Sequence, residues 1–598
     1  MTTSIPKRLT QLRSAMATHG YTAYLIPSAD PHLSEYLPAR WQGREVFSGF
    51  TGSVATLIVT QDFAGLWVDS RYWSQAEIEL AGSGISVMKI QSAAASAHID
   101  WLAQHLTPQG VLGVDGNILS LASARALQSA LSTKDIRLKT DFDLLDVVWT
   151  DRPDLPSAAV YEHTLPFATV SRAQKLAAIR EQMRAKGTNW HFISTVDDIA
   201  WVFNLRGADV NYNPVFVSHA LIGLESATLF VPLSKVPQEL VARLAQDGVA
   251  LQAYENAKQG LQALGATDSL LIDPRRITFG FQQAIPSSVK VIEALNPSVY
   301  AKSRKTSEEA QFVREAMEQD GAALCEFFAW YERVQNKEAI TELTIDEKIC
   351  AARASQPHFI SPSFGTIAGF NGNGAMPHYR ATPESHASIQ GNGLLLIDSG
   401  GQYLNGTTDI TRVVPVGTAS AEQKRDFTLV LKGMIALSRI KFPYSTYSTV
   451  LDAIARAPIW AEGINYGHGT GHGVGYFLNV HEGPQSISGA IPNSNMVMEV
   501  GMITSNEPGI YRPGKWGVRI ENLLLCVPAE STEFGDYLKF ETLTLCPIDT
   551  RCLDLEIMRD DELAWLNDYH QMVLQRLSPR VQGEALSWLQ HHTKPVQK

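Results

Sequence analysis

The segment with the most evident chemistry is Tyr466–Tyr476, in which glycine occupies every second position around two histidines. Each glycine would cost a helix about 1 kcal/mol relative to alanine, so the segment is predicted to be extended. At about 3.3 Å per residue, the Cα atoms of His468 and His472 would then lie roughly 13 Å apart. We therefore expect one histidine to bind a metal ion and the other to lie outside its ligands or to face a substrate. The glycines allow a close backbone approach.

Four carboxylates occur in apolar surroundings on either side of this segment. Asp398 and Glu507 each end an apolar run that predicts a buried strand, and a turn with glycine follows each of them. Asp409 precedes the predicted second strand of a hairpin, and Glu521 is predicted to lie inside a further strand. Buried carboxylates are costly unless they are paired or bind metal. Four carboxylates and a neutral imidazole carry a charge of about −4, which two divalent ions would neutralise.

Each of these residues also has an ordinary structural interpretation when it is taken alone. An aspartate after a strand is usually a turn-former, and a histidine beside glycines is usually packed or hydrogen-bonded. Glu521 could pair with Arg519 or Arg512. The order Asp-Asp-His-Glu-Glu in these settings nevertheless favours a metal site. A set rich in oxygen and without cysteine favours Mn²⁺, with Zn²⁺, Co²⁺ or Fe²⁺ as alternatives.

These five residues resemble the metal ligands of the pita-bread metallopeptidases of family M24, which include methionine aminopeptidase, prolidase and aminopeptidase P. The chain is more similar still to the three-domain, cytosolic-type Xaa-Pro aminopeptidases, over essentially all of its 598 residues. Four stretches carry this resemblance: Pro377–Tyr379, Gly469–Gln485, Asn506–Tyr511 and Phe540–Leu545.

The resemblance implies a role for each candidate residue. Asp398 would bind one metal ion, Asp409 and Glu521 would bridge both ions, and His472 with Glu507 would hold the other. Glu507 would also accept the proton of a water that bridges the two divalent ions and attacks the peptide. The implied substrate-side residues are His378, His468 and His481, with Glu35 and Arg71 as contacts at the end of the substrate. For Glu35 and Arg71, a surface charge and a strand-end salt bridge are the alternative interpretations.

The implied activity is release of the N-terminal residue from peptides with proline at the second position. Two divalent ions per subunit, most simply Mn²⁺ with Zn²⁺ or Co²⁺ as alternatives, and a homodimer are expected on the same ground. A prolidase-type Xaa-Pro dipeptidase would share all five ligands, but the doubled N-terminal domain and the His481–Gln485 stretch disfavour it. A metal-free scaffolding protein or a creatinase-type hydrolase of this fold would lack ligands, and here each ligand position is filled.

Composition limits the partners and the compartment. The chain is 45% apolar and 19% charged, as globular proteins are, and its formal net charge of −11 argues against nucleic acid or an acidic membrane as partner. Apolar runs stay short of the roughly 18 residues of a membrane span, and the N-terminus shows no signal-peptide core. Five cysteines without metal or disulfide spacing predict reduced thiols and a cytoplasmic protein.

The predicted fold combines α/β and α+β parts: two related creatinase-type α/β domains (1–154 and 155–304) and a pita-bread catalytic domain with a helical C-terminal extension (305–598). Helix 7–19 and its following strands have counterparts in helix 171–186 and the strands after it, which predicts an internal repeat. Capping boxes that begin at Thr306, Thr344 and Ser420 predict three helix starts in the catalytic domain.

Overall fold

The computed structural model describes residues 4–91, 96–489 and 496–598. The chain forms two compact units, an N-terminal unit (Met1–Ala301) and a C-terminal unit (Lys302–Lys598). Across the described ranges, none of the helices has both the length and the apolar character needed to cross a bilayer.

The first half of the N-terminal unit is a six-stranded sheet with helices. Its strands are β1 (Ala23–Pro27), β2 (Thr56–Thr60), β3 (Ala64–Val68), β4 (Ser86–Lys89), β5 (Val111–Gly113) and β6 (Arg137–Lys139). Its helices are α1 (Ile5–His19), α2 (Gly43–Ser48), α3 (Trp73–Glu79), α4 (Ala97–His105), α5 (Leu121–Leu131) and α6 (Leu145–Val148). The strand order is β4-β3-β2-β1-β5-β6, with β1–β2 and β2–β3 antiparallel and the outer pairings parallel.

The second half repeats this arrangement. Its strands are β7 (Tyr161–Glu162), β8 (Trp190–Ile193), β9 (Leu205–Arg206), β10 (His219–Gly223), β11 (Ala227–Phe230), β12 (Val249–Gln252), β13 (Ser269–Ile272) and β14 (Lys290–Glu293). Its helices are α7 (Arg172–Ala185), α8 (Val196–Phe203), α9 (Gln238–Gln246), α10 (Ala257–Gln262), α11 (Phe279–Gln282) and α12 (Pro297–Ser303). The order β12-β11-β10-β8-β13-β14 has the same pattern of parallel and antiparallel pairs. The predicted internal repeat is therefore confirmed.

Helix α1 shows how local sequence builds these layers. Leu9, Leu12 and Met16 recur at helical spacing and are at most 2% exposed, so one apolar stripe faces the core. Burying each such side chain is worth about 1.5–3 kcal/mol. The helix ends at Gly20, whose φ of 72° places it in the left-handed region that glycine adopts without strain.

The C-terminal unit mixes long helices with small antiparallel sheets. Its helices are α13 (Ser307–Val334), α14 (Glu342–Ala354), α15 (Ala421–Ser438), α16 (Asp452–Trp460), α17 (Asp560–Leu577) and α18 (Gly583–His592). Its strands are β15 (Phe359–Pro362), β16 (Ile367–Phe370), β17 (Gly393–Ser399), β18 (Gly401–Tyr403), β19 (Gly406–Thr407), β20 (Ile410–Val416), β21 (Lys441–Pro443), β22 (Gly471–His472), β23 (Ser486–Ile487), β24 (Ile503–Asn506), β25 (Gly509–Arg512), β26 (Trp516–Arg519), β27 (Asn522–Thr532) and β28 (Gly535–Thr542).

Two of these sheets carry the candidate site. In the sheet β16-β17-β20, Asp398 of β17 lies opposite Thr411 of β20. In the sheet β21-β28-β27-β24, Asn506 at the end of β24 lies opposite Asn522 at the start of β27. Glu507 and Glu521, the residues just outside these strand ends, are therefore neighbours. A hydrogen bond of 3.1 Å from the Glu521 amide to the Thr411 carbonyl joins the two sheets. Helices α13, α15 and α17 pack around them in one apolar core.

Two local predictions are corrected by the structure. The capping boxes at Thr306 and Ser420 are present, but the third begins at Thr341, and Thr344 is the third helical residue of α14. The Thr341 hydroxyl accepts from the Thr344 amide at 3.3 Å, so the helix starts one turn earlier than predicted. Glu521 lies between β26 and β27 rather than inside a strand, because its amide bonds to Thr411 of β20 instead of a ladder partner.

Candidate metal centre

Three potential ligands meet at the junction of the two sheets. The ligand atoms of Asp409, His472 and Glu521 lie within 4.8 Å of one another. The Nε2 atom of His472 is 3.5 Å from Asp409 Oδ2 and 3.4 Å from Glu507 Oε1. The sequence segments that supply these side chains are far apart along the chain. The two antiparallel registers bring Asp409 and Glu521 together, and a bridge between Gly473 and Thr504 of β24 places His472 beside them.

The carboxylates of this cluster are buried and oppose one another's ionisation. Asp398, Asp409 and Glu521 are 7%, 4% and 1% exposed. Burial raises the pKa of Asp398 to about 7, against the lowering effect of Arg519 and with further raising by Asp409. Burial and the charges of the neighbouring carboxylates raise the pKa of Glu521 well above its ordinary value. Bound cations would remove this electrostatic conflict.

The residues fit divalent metal ions by two further criteria. The Asp398 Oδ1 atom is buried and makes no hydrogen bond within the described residues, so it is available as a ligand. Carboxylate oxygens with one imidazole are a donor set that suits Mn²⁺ and related divalent ions. Burial raises the pKa of Glu507 as well, although the charges of His472 and Arg519 oppose that effect.

The imidazole of His472 is oriented by its own backbone. Its Nδ1 atom donates to the Gly473 carbonyl at 3.0 Å, so Nε2 is the ring nitrogen that faces the carboxylates. Burial lowers the pKa of His472, but Asp409 and Glu507 raise it to about 9. The Ser505 hydroxyl accepts from the His472 amide at 3.0 Å and donates to Glu507 Oε1 at 3.0 Å, which aligns both side chains.

One glycine on each side of His472 is required by a close backbone contact. A Cβ atom at Gly471 would lie 1.9 Å from the Ser505 carbonyl oxygen. A Cβ atom at Gly473 would lie 2.0 Å from the carbonyl oxygen of Glu482. The predicted close approach of the glycine segment is thus made to neighbouring protein backbone on both sides.

His468 lies outside the carboxylate cluster and takes part in a separate chain of hydrogen bonds. Its Nδ1 atom is 2.7 Å from the Gly469 carbonyl, and its Nε2 atom is 2.8 Å from the Tyr511 hydroxyl. Arg519 donates to that hydroxyl at 2.7 Å and to Asp398 Oδ2 at 2.5 Å. The histidine is therefore connected to a candidate ligand through two intervening side chains.

Helix α16 fixes the start of the glycine segment. The Arg456 guanidinium donates to the carbonyls of Tyr466 at 2.9 Å and His468 at 2.6 Å. Asp452 accepts from Arg456 at 2.8 Å and from the Thr470 hydroxyl at 2.6 Å. These bonds hold the part of the glycine segment that precedes β22.

Of the other two candidate histidines, His481 contacts a proposed ligand directly, and His378 follows a residue that bonds Arg519. The ring of His481 contacts the ring of His472 edge-on, with centroids 4.3 Å apart and planes at 87°. His378 is half-buried and follows Pro377, whose carbonyl accepts from Arg519 at 3.3 Å. His468 and His481 are thus connected to proposed ligands through their own side chains, and His378 through the backbone of its neighbour Pro377.

Several supporting residues were not predicted from the sequence. Arg519 is 2% exposed and pairs with Asp398 rather than with Glu521, and Arg512 pairs with Asp426 at 2.8 Å. The Thr411 hydroxyl donates to Glu521 Oε2 at 2.7 Å. The available signal was an arginine inside an apolar strand sequence, Val-Arg-Ile, which a strand tolerates only when the charge has a buried partner.

The remaining two candidates, Glu35 and Arg71, lie in the N-terminal unit. Arg71 forms a two-point ion pair with Asp69, with both contacts at 2.8 Å, and its side chain is 26% exposed. Burial lowers the pKa of Arg71, but Asp69 raises it, and the charge of Glu35 adds to that effect. The strand-end salt bridge suggested for Arg71 is therefore present, and Glu35 lies close enough to act on it electrostatically.

A second group of potential ligands consists of Glu332, Asp549 and His592. Arg551 already pairs with both carboxylates of this group, since its Nη2 atom is 2.8 Å from Glu332 and 2.5 Å from Asp549. We therefore do not count it as a metal site.

Comparisons with known proteins identify the families that the parts of this chain match. Residues 311–528 match metallopeptidase family M24, and residues 536–596 match the C-terminal region of that family. Residues 8–148 and 151–309 each match a creatinase/prolidase N-terminal domain.

Full-length relatives are similar from end to end. Aminopeptidase P2 of Arabidopsis thaliana is 39% identical, over 97% of this chain and 86% of the relative. Xaa-Pro aminopeptidase 2 of Sus scrofa is 36% identical, over 98% and 89%. The crystal structure of the X-prolyl aminopeptidase of Caenorhabditis elegans, described as a cytosolic enzyme with a di-nuclear active site, superimposes with a TM-score of 0.95 at 30% identity, covering 99% of this chain and 100% of that one. This chain belongs to the Xaa-Pro aminopeptidase family of M24 metallopeptidases.

Proposed function

We propose that this protein is a metal-dependent Xaa-Pro aminopeptidase, which releases the first residue of a peptide whose second residue is proline. The observation that carries the proposal is the buried cluster of carboxylates around the His472 Nε2 atom. Such a cluster is unstable without cations and suited to hold them. The end-to-end similarity to Xaa-Pro aminopeptidases supports the substrate class.

We propose that two divalent ions occupy the centre, with Mn²⁺ as the preferred metal and Zn²⁺ or Co²⁺ as alternatives. The residues that would hold them are Asp398, Asp409, His472, Glu507 and Glu521. When bound, such ions lower the pKa of water and polarise a peptide carbonyl.

The side chains around these ligands supply orientation and proton transfer. Glu507 would accept the proton of the attacking water as a general base. The Ser505 hydroxyl bond at 3.0 Å holds one of its oxygens in place. His468, backed by Tyr511, and the neighbouring His378 and His481 would contact the substrate and donate protons to the oxyanion and to the leaving nitrogen.

The preference for proline follows from the shape and chemistry of its amide. The ring fixes φ and leaves the amide nitrogen without a hydrogen, so the leaving nitrogen depends on a delivered proton. A site with three histidines near the scissile bond can supply that proton. We propose Glu35 and Arg71 as substrate-end contacts, with Arg71 held by Asp69.

The deciding experiment compares an Xaa-Pro dipeptide, Xaa-Pro-Yaa tripeptides and Xaa-Ala-Yaa tripeptides with Mn²⁺ present. We expect cleavage of the first bond in Xaa-Pro-Yaa and little cleavage of Xaa-Ala-Yaa. A strong preference for the bare dipeptide would identify a prolidase-type enzyme. Indifference to the second residue would refute the Xaa-Pro assignment.

Three further proposals concern the domains, the oligomeric state and the location of the protein. We propose domain boundaries at 1–154, 155–304 and 305–598, a homodimer, and a cytoplasmic location. The two matching six-stranded sheets support the first two domains. Light scattering of the purified protein tests the dimer, and limited proteolysis tests the boundaries.

A further inference from the structure

A lysine two residues before α13, Lys305, lies in the interior beside the candidate centre, although the proposed reaction gives it no role. The side chains of Lys305 and Glu482 are 0% and 2% exposed, and Lys305 Nζ is 2.6 Å from Glu482 Oε1. Lys302 Nζ lies 3.3 Å from the other oxygen of the same carboxylate. Charges this deeply buried are expensive, so their retention requires a specific arrangement.

Lys305 also contacts the segment that carries His472. Its Nζ atom donates to the Val474 carbonyl at 2.7 Å, two residues after the histidine. Its partner Glu482 directly follows His481 in the sequence. One ammonium group therefore connects the backbone just beyond one histidine to the side chain just beyond the other.

The same two segments are joined by their backbones. The Glu482 amide donates to the Gly473 carbonyl at 2.7 Å. The Gly473 carbonyl also lies 3.0 Å from His472 Nδ1, so this oxygen is hydrogen-bonded to both segments. The two rings that result are held edge-on, with centroids 4.3 Å apart.

We propose that the Lys305–Glu482 ion pair is a positioning element that fixes His481 relative to His472. This inference rests on the proposed function only in expecting that His481 contacts the substrate. The ammonium group provides hydrogen bonds to both segments at once, which an apolar side chain of the same size could not do. Lys302 is expected to contribute less, since its contact with Glu482 is longer.

The test uses Lys305→Met, which keeps the length of the side chain and removes its donors, and Glu482→Gln, which keeps the size of the partner. We expect kcat on an Xaa-Pro-Yaa peptide to fall about 100-fold in each variant, as a misplacement of about 1 Å can produce. KM should change by less than about threefold, and metal content should be unchanged, because the loss is in the transition state. The double variant should be no worse than either single variant, since the pair acts as a unit.

A matched control separates positioning from general destabilisation. Arg353 and Asp320 form another buried pair in the same unit, 2.7 Å apart with side chains 1% and 5% exposed, and Asp320 also accepts from Tyr403. Asp320→Asn should lower the thermal midpoint to a similar extent as Lys305→Met and leave kcat within about threefold of the wild type. An equal loss of kcat in both variants would overturn the proposal.

A structural measurement makes the test independent of activity. Crystal structures of wild type and Glu482→Gln should differ in the distance between the ring centroids of His472 and His481. An unchanged distance together with kcat within about threefold of the wild type would overturn the positioning role. If the wild type cleaves no Xaa-Pro-Yaa peptide, the proposed function fails, while the ring geometry still tests the ion pair.

Discussion

Replacing Arg519 by methionine should destabilise the metal-free C-terminal unit more than most single substitutions do. Arg519 is 2% exposed and donates to Asp398 at 2.5 Å, to Tyr511 at 2.7 Å and to Thr411 at 3.2 Å. Removing one member of a buried ion pair leaves the other charge without compensation, which costs about 3–5 kcal/mol. At pH 8 the Asp398 carboxyl, with a pKa of about 7, is ionised in the wild type and needs that compensation.

A second substitution separates the loss of unfolding free energy into the part due to the unpaired charge and the part due to lost hydrogen bonds. In Arg519→Met combined with Asp398→Asn, the unpaired charge is absent and only the neutral partners lose a donor. We expect a residual cost of about 1–3 kcal/mol, because the Tyr511 and Thr411 hydroxyls each lose the bond from Arg519 and keep one other hydrogen bond. The double variant should therefore be more stable than Arg519→Met alone.

Hydrogen exchange measured by mass spectrometry at pH 8 with a chelator is a suitable assay, because it reports on each unit separately. A cost of about 3–5 kcal/mol corresponds to exchange about 150- to 5,000-fold faster in peptides that cover β17 and β26. Peptides that cover β1–β3 in the N-terminal unit serve as an internal control and should exchange as in the wild type. A change below about fivefold in β17 and β26, or a double variant no more stable than Arg519→Met, would refute this reasoning.

Further predictions concern the ligands, the glycine segment and pH. Asp409→Asn should lose bound metal because a charged oxygen is removed, whereas His481→Ala should keep its metal and lose turnover; metal analysis of both variants distinguishes these outcomes, and metal loss from His481→Ala would reverse its assignment. Gly473→Ala should abolish metal binding, since its Cβ atom would lie 2.0 Å from the Glu482 carbonyl oxygen; normal binding in a titration would contradict the contact. Burial lowers the pKa of His570 to about 3. The unfolded chain then binds more protons than the folded chain below pH 6.5, so this residue should reduce the free energy of unfolding by about 2 kcal/mol between pH 6.5 and pH 5. Urea unfolding should show a smaller pH dependence in His570→Gln, and an unchanged dependence would exclude this histidine as the cause.

The parts of the fold that depend on local sequence could be predicted well. The capping boxes at Thr306 and Ser420 depend on residues within one turn of each other, and the repeat in the N-terminal unit could be predicted from the order of helices and apolar strands along the chain. The error at Thr344 has the same origin, because Thr341 offers an equivalent hydroxyl one turn earlier. Adjacent signals of equal strength cannot be ranked without the packing that selects between them.

The supporting contacts of the site were beyond prediction for a different reason. The chain of contacts from Asp398 through Arg519 and Tyr511 to His468 joins residues up to 121 positions apart. Which carboxylate receives the Arg519 charge depends on the registers of two sheets. A single sequence specifies that such a charge needs a partner, but several acids nearby satisfy that requirement equally well.

The close contacts of Gly471 and Gly473 have a consequence for how mutational data on this protein should be interpreted. In a saturation scan scored by activity, these glycines should be as intolerant as the ligands, although neither has a side chain that could take part in the reaction. Their intolerance would reflect collisions with the Ser505 and Glu482 carbonyl oxygens, so it should be similar for small and large substituents. At the ligand positions, the loss of activity should instead depend on whether the substituted side chain can still bind a metal ion. The pattern of tolerated replacements, rather than the size of the loss of activity, would therefore distinguish the ligands from the glycines that are required for close backbone packing.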